Sequence, residues 1–388
     1  MWPFSVAWRK GTYVRLNPIS RPKKGFCLSI LKWGSALCAI AIIVFFSVCK
    51  LQLNLRVYVR QWVSHEELRY SEPLHGCFDN IPSDSPYYAQ GHSSFKYDIT
   101  PGLNLNEGWD CYDFANSIQP VSEPTEHIIY HAYWRADLLE MGDKQRSTFR
   151  SFFATQNLNY STIYLWSNSE LSSPILTEIK SHFGDRLQVF VFDAKELAKD
   201  TPLQDFPYLT LKDSYAYLDG DLVRLLVLYK YGGMWFDMDS LFIRDMHPLL
   251  EREWVGQWDC FLPEAFPFNG AFMRFRKDSP YVCEMLADIA TGSLPRKGST
   301  DWGSYMYYRV YRRLLANGKR PFDIIPWCFT DSVSCHPSNS MPQAFEEAKF
   351  SSQRLKQVFA FHWHNKWNKK PGSVFRYLDD MHKQSAGW

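Results

Sequence analysis

The chain has 388 residues, 46% hydrophobic and 22% charged, the make-up of a globular protein with room for one large domain or two; a disordered or low-complexity chain is excluded. The net charge of +2 hides an asymmetry, because residues 1–60 hold ten Lys or Arg and no acidic residue. The rest carries 33 basic and 41 acidic residues, a net −8 with no basic stripe, which argues against a nucleic-acid partner.

In chain order, residues 1–25 read as a cytosolic basic tail. Phe26 to Val48 is apolar over 23 residues, broken only by Lys32. As a helix this run spans roughly 34 Å, enough for a hydrocarbon core, and Lys32 lies near the end, where it can snorkel. Six basic residues precede it and three follow closely, so the positive-inside rule predicts a single-pass type II signal anchor over 26–49, with the bulk of the chain across the membrane. The long basic lead and the lack of a small-residue cleavage site argue against a removed signal peptide. Residues 50–125 read as a stem, since Ser71 to Gly108 is dense in Pro, Gly, Ser, Asn and Asp. Six cysteines follow the expected anchor and permit up to three disulfides, in any of 15 pairings. Asn159-Tyr160-Ser161 is a glycosylation sequon.

Organised structure is expected from 126 to the end. His127 to Tyr133 reads as a buried first strand ending at Trp134, Arg146 to Ala154 as helix and Thr162 to Trp166 as strand. Pro174 to Phe183 then reads as helix and Leu187 to Phe192 as strand. Alternation at this spacing predicts an α/β domain with a mainly parallel central sheet, its ligands beyond the carboxyl ends of the strands. His127 and His131 are four apart but lie on a strand and lack a metalloprotease glutamate, so they read as core or rim residues.

The stretch Asp221 to Asp239, DLVRLLVLYKYGGMWFDMD, is the centre of the chain. A helix to Tyr231 stops at Gly232-Gly233, and a short apolar strand then delivers Asp237 and Asp239. Residues two apart on a strand point to one side, so both carboxylates are expected to face one hard divalent cation, Mn²⁺ or Mg²⁺. Asp221 and Arg224 share a helix face. Leu241 to Leu250 should run along the sheet edge. Phe268 to Met273 reads as a strand carrying Asn269. Ser299 to Ser304 opens a helix to about Ala316, with Thr300 or Asp301 as its N-cap. Phe361-His362-Trp363-His364-Asn365-Lys366-Trp367 is an aromatic and basic cluster near the end.

The pattern D-x-x-R-x(8)-G-G-x-x-x-D-x-D, formed by Asp221, Arg224, Gly232, Gly233, Asp237 and Asp239, resembles the signature of DXD-containing glycosyltransferases. The group it resembles comprises initiating α-1,6-mannosyltransferases and α-1,4-galactosyl- and α-1,4-N-acetylglucosaminyltransferases, family 32-like enzymes of GT-A fold. Weaker similarity runs from Ile128 to Trp367. The resemblance implies a retaining transfer of a hexose or N-acetylhexosamine from a UDP- or GDP-linked donor to a hydroxyl of a luminal glycan, glycoprotein or glycolipid, in the Golgi membrane. It implies donor contacts from Trp134 (to the base), Asp221, Arg224, Asn269 and Lys366, and metal ligation by Asp237, Asp239 and either His362 or His364. Asp301 is the candidate nucleophile. Related enzymes often have Thr-Gly-Pro where this chain has Trp302-Gly303-Ser304, which leaves the donor sugar open. Two other classes stand beside this reading: an inactive glycan-binding descendant of the fold, and a phosphohydrolase with a D-x-D after a strand.

Overall fold

The computed structural model describes residues 24–49, 72–85, 87, 105, 107–258, 268–333 and 335–388. The chain divides into two compact units, Met1–Arg69 and Tyr70–Trp388. In the first, a helix α1 (Lys24–Val48) exposes Trp33, Leu37, Ile43 and Phe46. Among the described residues no helix is long and apolar enough to cross a membrane. Side chains of α1 are described only from Lys32, so those of the first turns of the expected anchor lie outside the description, and the anchor is not supported here.

The second unit begins well before residue 126. Much of the expected stem (50–71, 86, 88–104 and 106) lies outside the described residues. Two parts of it are tied to the α/β body: Cys77 bonds to Cys283, and Cys111, in helix α2 (Asp110–Ser117), bonds to Cys328. These links are 206 and 217 residues apart in sequence, so each removes much loop entropy from the unfolded chain. Cys335 is also disulfide-bonded.

Strands β1 (Ile128–Trp134), β2 (Ser161–Ser167) and β3 (Leu187–Val191) are joined by helices α3 (Asp143–Thr155) and α4 (Pro174–Phe183). Ser173 starts α4 by accepting the Ile175 N–H, with Pro174 in the first turn. A short helix α5 (Ala194–Ala198) precedes α6 (Leu218–Tyr231), which leads into β4 (Gly233–Phe236). The main sheet has seven strands in the order β3-β2-β1-β4-β7-β6-β8, with β6 at Trp254–Gln257, β7 at Phe268–Phe275 and β8 at Asp323–Ile325. Neighbours pair in parallel except at β7, which is antiparallel to both β4 and β6. Helices α7 (Pro280–Thr291) and α8 (Ser304–Ala316) follow β7.

The central strands are apolar on both faces because each face is covered. Met234 and Phe236 of β4 enter a core with Tyr130, Phe152 and Phe242, while Trp235 enters the opposite core with Leu222 and Leu226. Gly232 and Gly233 stand where only glycine fits: both have positive φ, and a Cβ would come within 2.4 Å of Lys277 N and 2.2 Å of Ile129 O respectively.

The structure corrects three local expectations. Leu241 to Leu250 does not extend the main sheet. Instead β5 (Ser240–Phe242) pairs with β9 (Ala360–His362) in a separate two-stranded ribbon, which brings the C-terminal cluster back beside the carboxylates. Asp237 to Asp239 lie on a turn beyond β4, not on the strand, so strand alternation is not what turns them toward one point. Helix α8 is entered from Gly303 without a side-chain cap, and Asp301 bonds instead to the backbone and guanidinium of Arg296. A short helix α9 (Ser352–Leu355) and the C-terminal α10 (Ser373–Ala386), which packs on α3, complete the unit.

Candidate active site

The start of α6 is set by Asp213, whose carboxylate accepts the backbone N–H groups of Tyr215, Tyr217 and Leu218. One turn into the helix, Asp221 and Arg224 are buried and joined at 2.6 Å. Arg224 also donates to the Tyr307 hydroxyl at 2.9 Å and to Asp237 Oδ1 at 3.0 Å. The Trp235 indole N–H reaches the same Asp237 oxygen at 2.6 Å, so this carboxylate is oriented by both its helix and its strand. Gly270 and Gly303 wall the pair closely: a Cβ would come within 2.4 Å of Arg224 Nη1 and 2.7 Å of Asp221 Oδ2. Burial, followed by the Asp237 charge, pushes the Asp221 carboxyl up to about 7 against the pull of Arg224.

Asp239 is buried and turned toward the C-terminal segment. Its Oδ2 takes the Asn365 N–H at 2.6 Å and lies 3.2 Å from His362 Nε2. Burial works against its charge, but His362, the Asn365 N–H and His364 outweigh it and hold the carboxyl below its ordinary value. Asp237, Asp239 and His362 each offer a ligand atom within 4.8 Å of one another, and Asp331, His362 and His364 form a second such group. Two carboxylates and an imidazole fit a hard or borderline divalent cation, and the field that here raises the proton affinity of His362 would equally draw a cation.

The other expected site residues are distributed around this cluster. Trp134 ends β1, its indole N–H donating to Leu139 O at 2.9 Å and its ring set edgewise on Trp367, 5.2 Å between centroids. The C-terminal cluster and the end of β1 thus meet. Asn269 is committed to protein: its Oδ1 accepts the Ala271 N–H, and its Nδ2 lies 3.0 Å from Asp331 Oδ2 and 3.2 Å from His362 Nδ1. Lys366 reaches Gln343 at 2.9 Å. Asp301 makes no bond to Asp237, Asp239 or His362; its hydrogen bonds with Arg296 outweigh burial and hold its carboxyl at about 2. Asn159 is exposed on the turn before β2. His131 is buried and His127 exposed at the start of β1.

Four participants were invisible in the sequence. Tyr307 lies on α8 and Asp331 in a loop, and neither stands in a motif. The Asn365 contact is a backbone N–H, which no residue type announces. Lys144, on α3, binds the carbonyls of Lys366 and Trp367 at 2.7 and 2.5 Å and pins the end of the cluster.

The mainly parallel α/β sheet thus carries a buried Asp–Arg pair and, beyond the end of β4, two further carboxylates. Residues 142–255 match the family described as "Glycosyltransferase sugar-binding region containing DXD motif". An uncharacterized protein of Arabidopsis thaliana is 36% identical over 128 residues, 32% of this chain and 19% of that protein. Inositol phosphoceramide mannosyltransferase 3 of Schizosaccharomyces pombe is 32% identical over 104 residues, 26% of this chain and 28% of its own length. The match therefore spans less than a third of either relative. Among solved structures, the galactosyltransferase LgtC aligns over 67% of this chain and 95% of its own, at 11% identity and a TM-score of 0.37. GlyE of Streptococcus pneumoniae aligns over 68% and 60%, at 9% identity and a TM-score of 0.36. Likenesses at that level say nothing about what this chain acts on.

Proposed function

We propose that the protein is a metal-dependent, retaining glycosyltransferase that moves a hexose or N-acetylhexosamine from a nucleotide diphosphate sugar to a hydroxyl of a glycan, glycoprotein or glycolipid. The observation that carries this reading is the convergence of Asp237, Asp239 and His362 within 4.8 Å, beside the family-matched region. A Mn²⁺ or Mg²⁺ ion held there would supply Lewis acidity to the departing diphosphate. Asp239 and His362, both buried, and the more exposed Asp237, fixed by Arg224 and Trp235, would hold such an ion. Asp221 and Arg224 are the groups for the donor sugar's hydroxyls, and Trp134 is the group for the base. Because Asp301 is tied to Arg296, same-face attack with the leaving phosphate accepting the proton is favoured over a covalent step on that residue.

The cellular setting is part of the same proposal: a type II anchor over 26–49, with the body in the Golgi lumen. The 23-residue apolar run with its charge asymmetry supports this, as do the disulfides, which suit an oxidising compartment. Protease protection in sealed microsomes and glycan removal at Asn159 test it.

Purified protein is offered a panel of UDP- and GDP-sugars with Mn²⁺, Mg²⁺ or chelator. Metal-dependent nucleotide release from one donor establishes the activity and names the sugar. Donor binding without release would move the reading to a glycan-binding descendant.

A further inference from the structure

The second carboxylate–histidine group has no role in the function as proposed so far. Asp331 is fully buried, in the loop that follows β8. Its Oδ1 lies 3.0 Å from His364 Nε2; its Oδ2 accepts from Asn269 Nδ2 at 3.0 Å and lies 3.7 Å from His362 Nδ1. His362 is therefore held between two carboxylates, Asp239 on Nε2 and Asp331 behind Nδ1. The loop itself is fixed. Cys328 is bonded to Cys111, Asp331 N donates to Trp327 O, His362 N of β9 donates to Thr330 O, and Phe359 N just before it donates to Phe329 O.

The partner segment is under backbone strain. His364 and Asn365 both have φ of 55°, a left-handed conformation that non-glycine residues seldom adopt. Two bonds over-determine it: Asp331 holds the His364 ring, and Asp239 holds the Asn365 N–H. Without Asp331 the turn loses the bond that holds the His364 ring, and His362 loses the carboxylate behind it. A histidine ligand is oriented, and made more basic, by the group its other ring nitrogen faces.

We propose that Asp331 is a positioning residue for the cation site: it touches neither ion nor substrate, and it fixes the His362 ring and the 362–365 turn so that His362 Nε2 and Asp239 converge. This rests on the reading of Asp237, Asp239 and His362 as the ion's seat. Asn269, by donating to Asp331 and facing His362 Nδ1, joins the two and belongs to the same support.

The test uses the full chain, with Mn²⁺ alone as the probe. Free Mn²⁺ is followed by electron paramagnetic resonance during titration, and the ¹⁴N modulation of the bound ion reports the imidazole ligand. Asp331→Asn keeps the shape of the side chain and removes its charge. It is expected to bind Mn²⁺ about 10- to 100-fold more weakly, with an altered nitrogen modulation, while still unfolding in one cooperative transition. Asp239→Ala is expected to bind none over the same range. Wild-type affinity and modulation in Asp331→Asn, with binding lost in Asp239→Ala, would overturn the positioning role and leave the ion's seat standing. Loss in Asp331→Asn as complete as in Asp239→Ala would make Asp331 a ligand and overturn it in the other direction. Wild-type binding in Asp239→Ala would remove the seat itself, and this proposal with it.

Discussion

Two buried histidines sit in this domain with opposite charge preferences. His131, on β1, lies 2.9 Å from Gly232 O through Nε2 and accepts the Trp166 indole N–H at its Nδ1. Both nitrogens are satisfied in one neutral tautomer, and burial brings its proton affinity down to about 4. His362, on β9, is as deeply enclosed, but Asp239 and Asp331 flank it, and they raise its proton affinity well above the ordinary value against the effect of burial. Burial alone thus decides nothing: a carbonyl and an indole keep one imidazole neutral, and two carboxylates draw positive charge to the other.

The sharpest way to break this contrast is Asp239→Ala, which removes the carboxylate beside His362 Nε2. Metal-dependent transfer is expected to fall by about 10³-fold or more, the several kcal/mol that a Lewis-acid cation supplies, with the protein still folded. Retained metal-dependent turnover in that variant would refute the assignment.

Next in size is the cross-link that anchors the His362 side. Replacing Cys111 and Cys328 with serine is expected to cost about 2–5 kcal/mol in urea unfolding, because Cys328 fixes the loop that carries Asp331. An unchanged midpoint would show that packing alone holds that loop.

The His131 side sharpens the contrast through pH. Its folded value of about 4 lies below the unfolded value near 6.5, so the native state resists the proton. Its contribution to stability is complete above pH 6.5 and is lost as pH falls toward 4, by roughly 3 kcal/mol in all. His131→Gln, which can donate to Gly232 O and accept from Trp166 while carrying no titrating group, should flatten the stability slope by about one proton between pH 6.5 and 4. A slope equal to that of the unaltered protein would exclude His131 as its source. The smallest expected effect is that of Tyr307→Phe, which deprives Arg224 of one acceptor and should cost about 1 kcal/mol.

What could be read in advance followed from sequence distance. Strands β1 to β4 and helices α3, α4 and α6 came from hydrophobic period and glycine stops, which are local. The same local logic fails at three places. Thr300 or Asp301 reads as the cap of α8, but nearby Arg296 takes Asp301; the D-x-D reads as strand, but β4 ends at Phe236; and Leu241 to Leu250 reads as sheet edge, but the distant β9 pairs with β5.

The sequence by itself determined the 221–239 unit, because its helix, glycine pair, strand and two aspartates act on one another over fewer than twenty residues, and spacing alone sets which can meet. The tertiary structure alone decided what surrounds it. His362 lies 123 residues from Asp239 and Asp331 lies 33 before His364; they meet because the β5–β9 ribbon and the Cys111–Cys328 link fold three separate segments onto one point. A carboxylate's role depends on the charges and donors within a few ångströms of it, and across distances of that kind sequence order does not specify them.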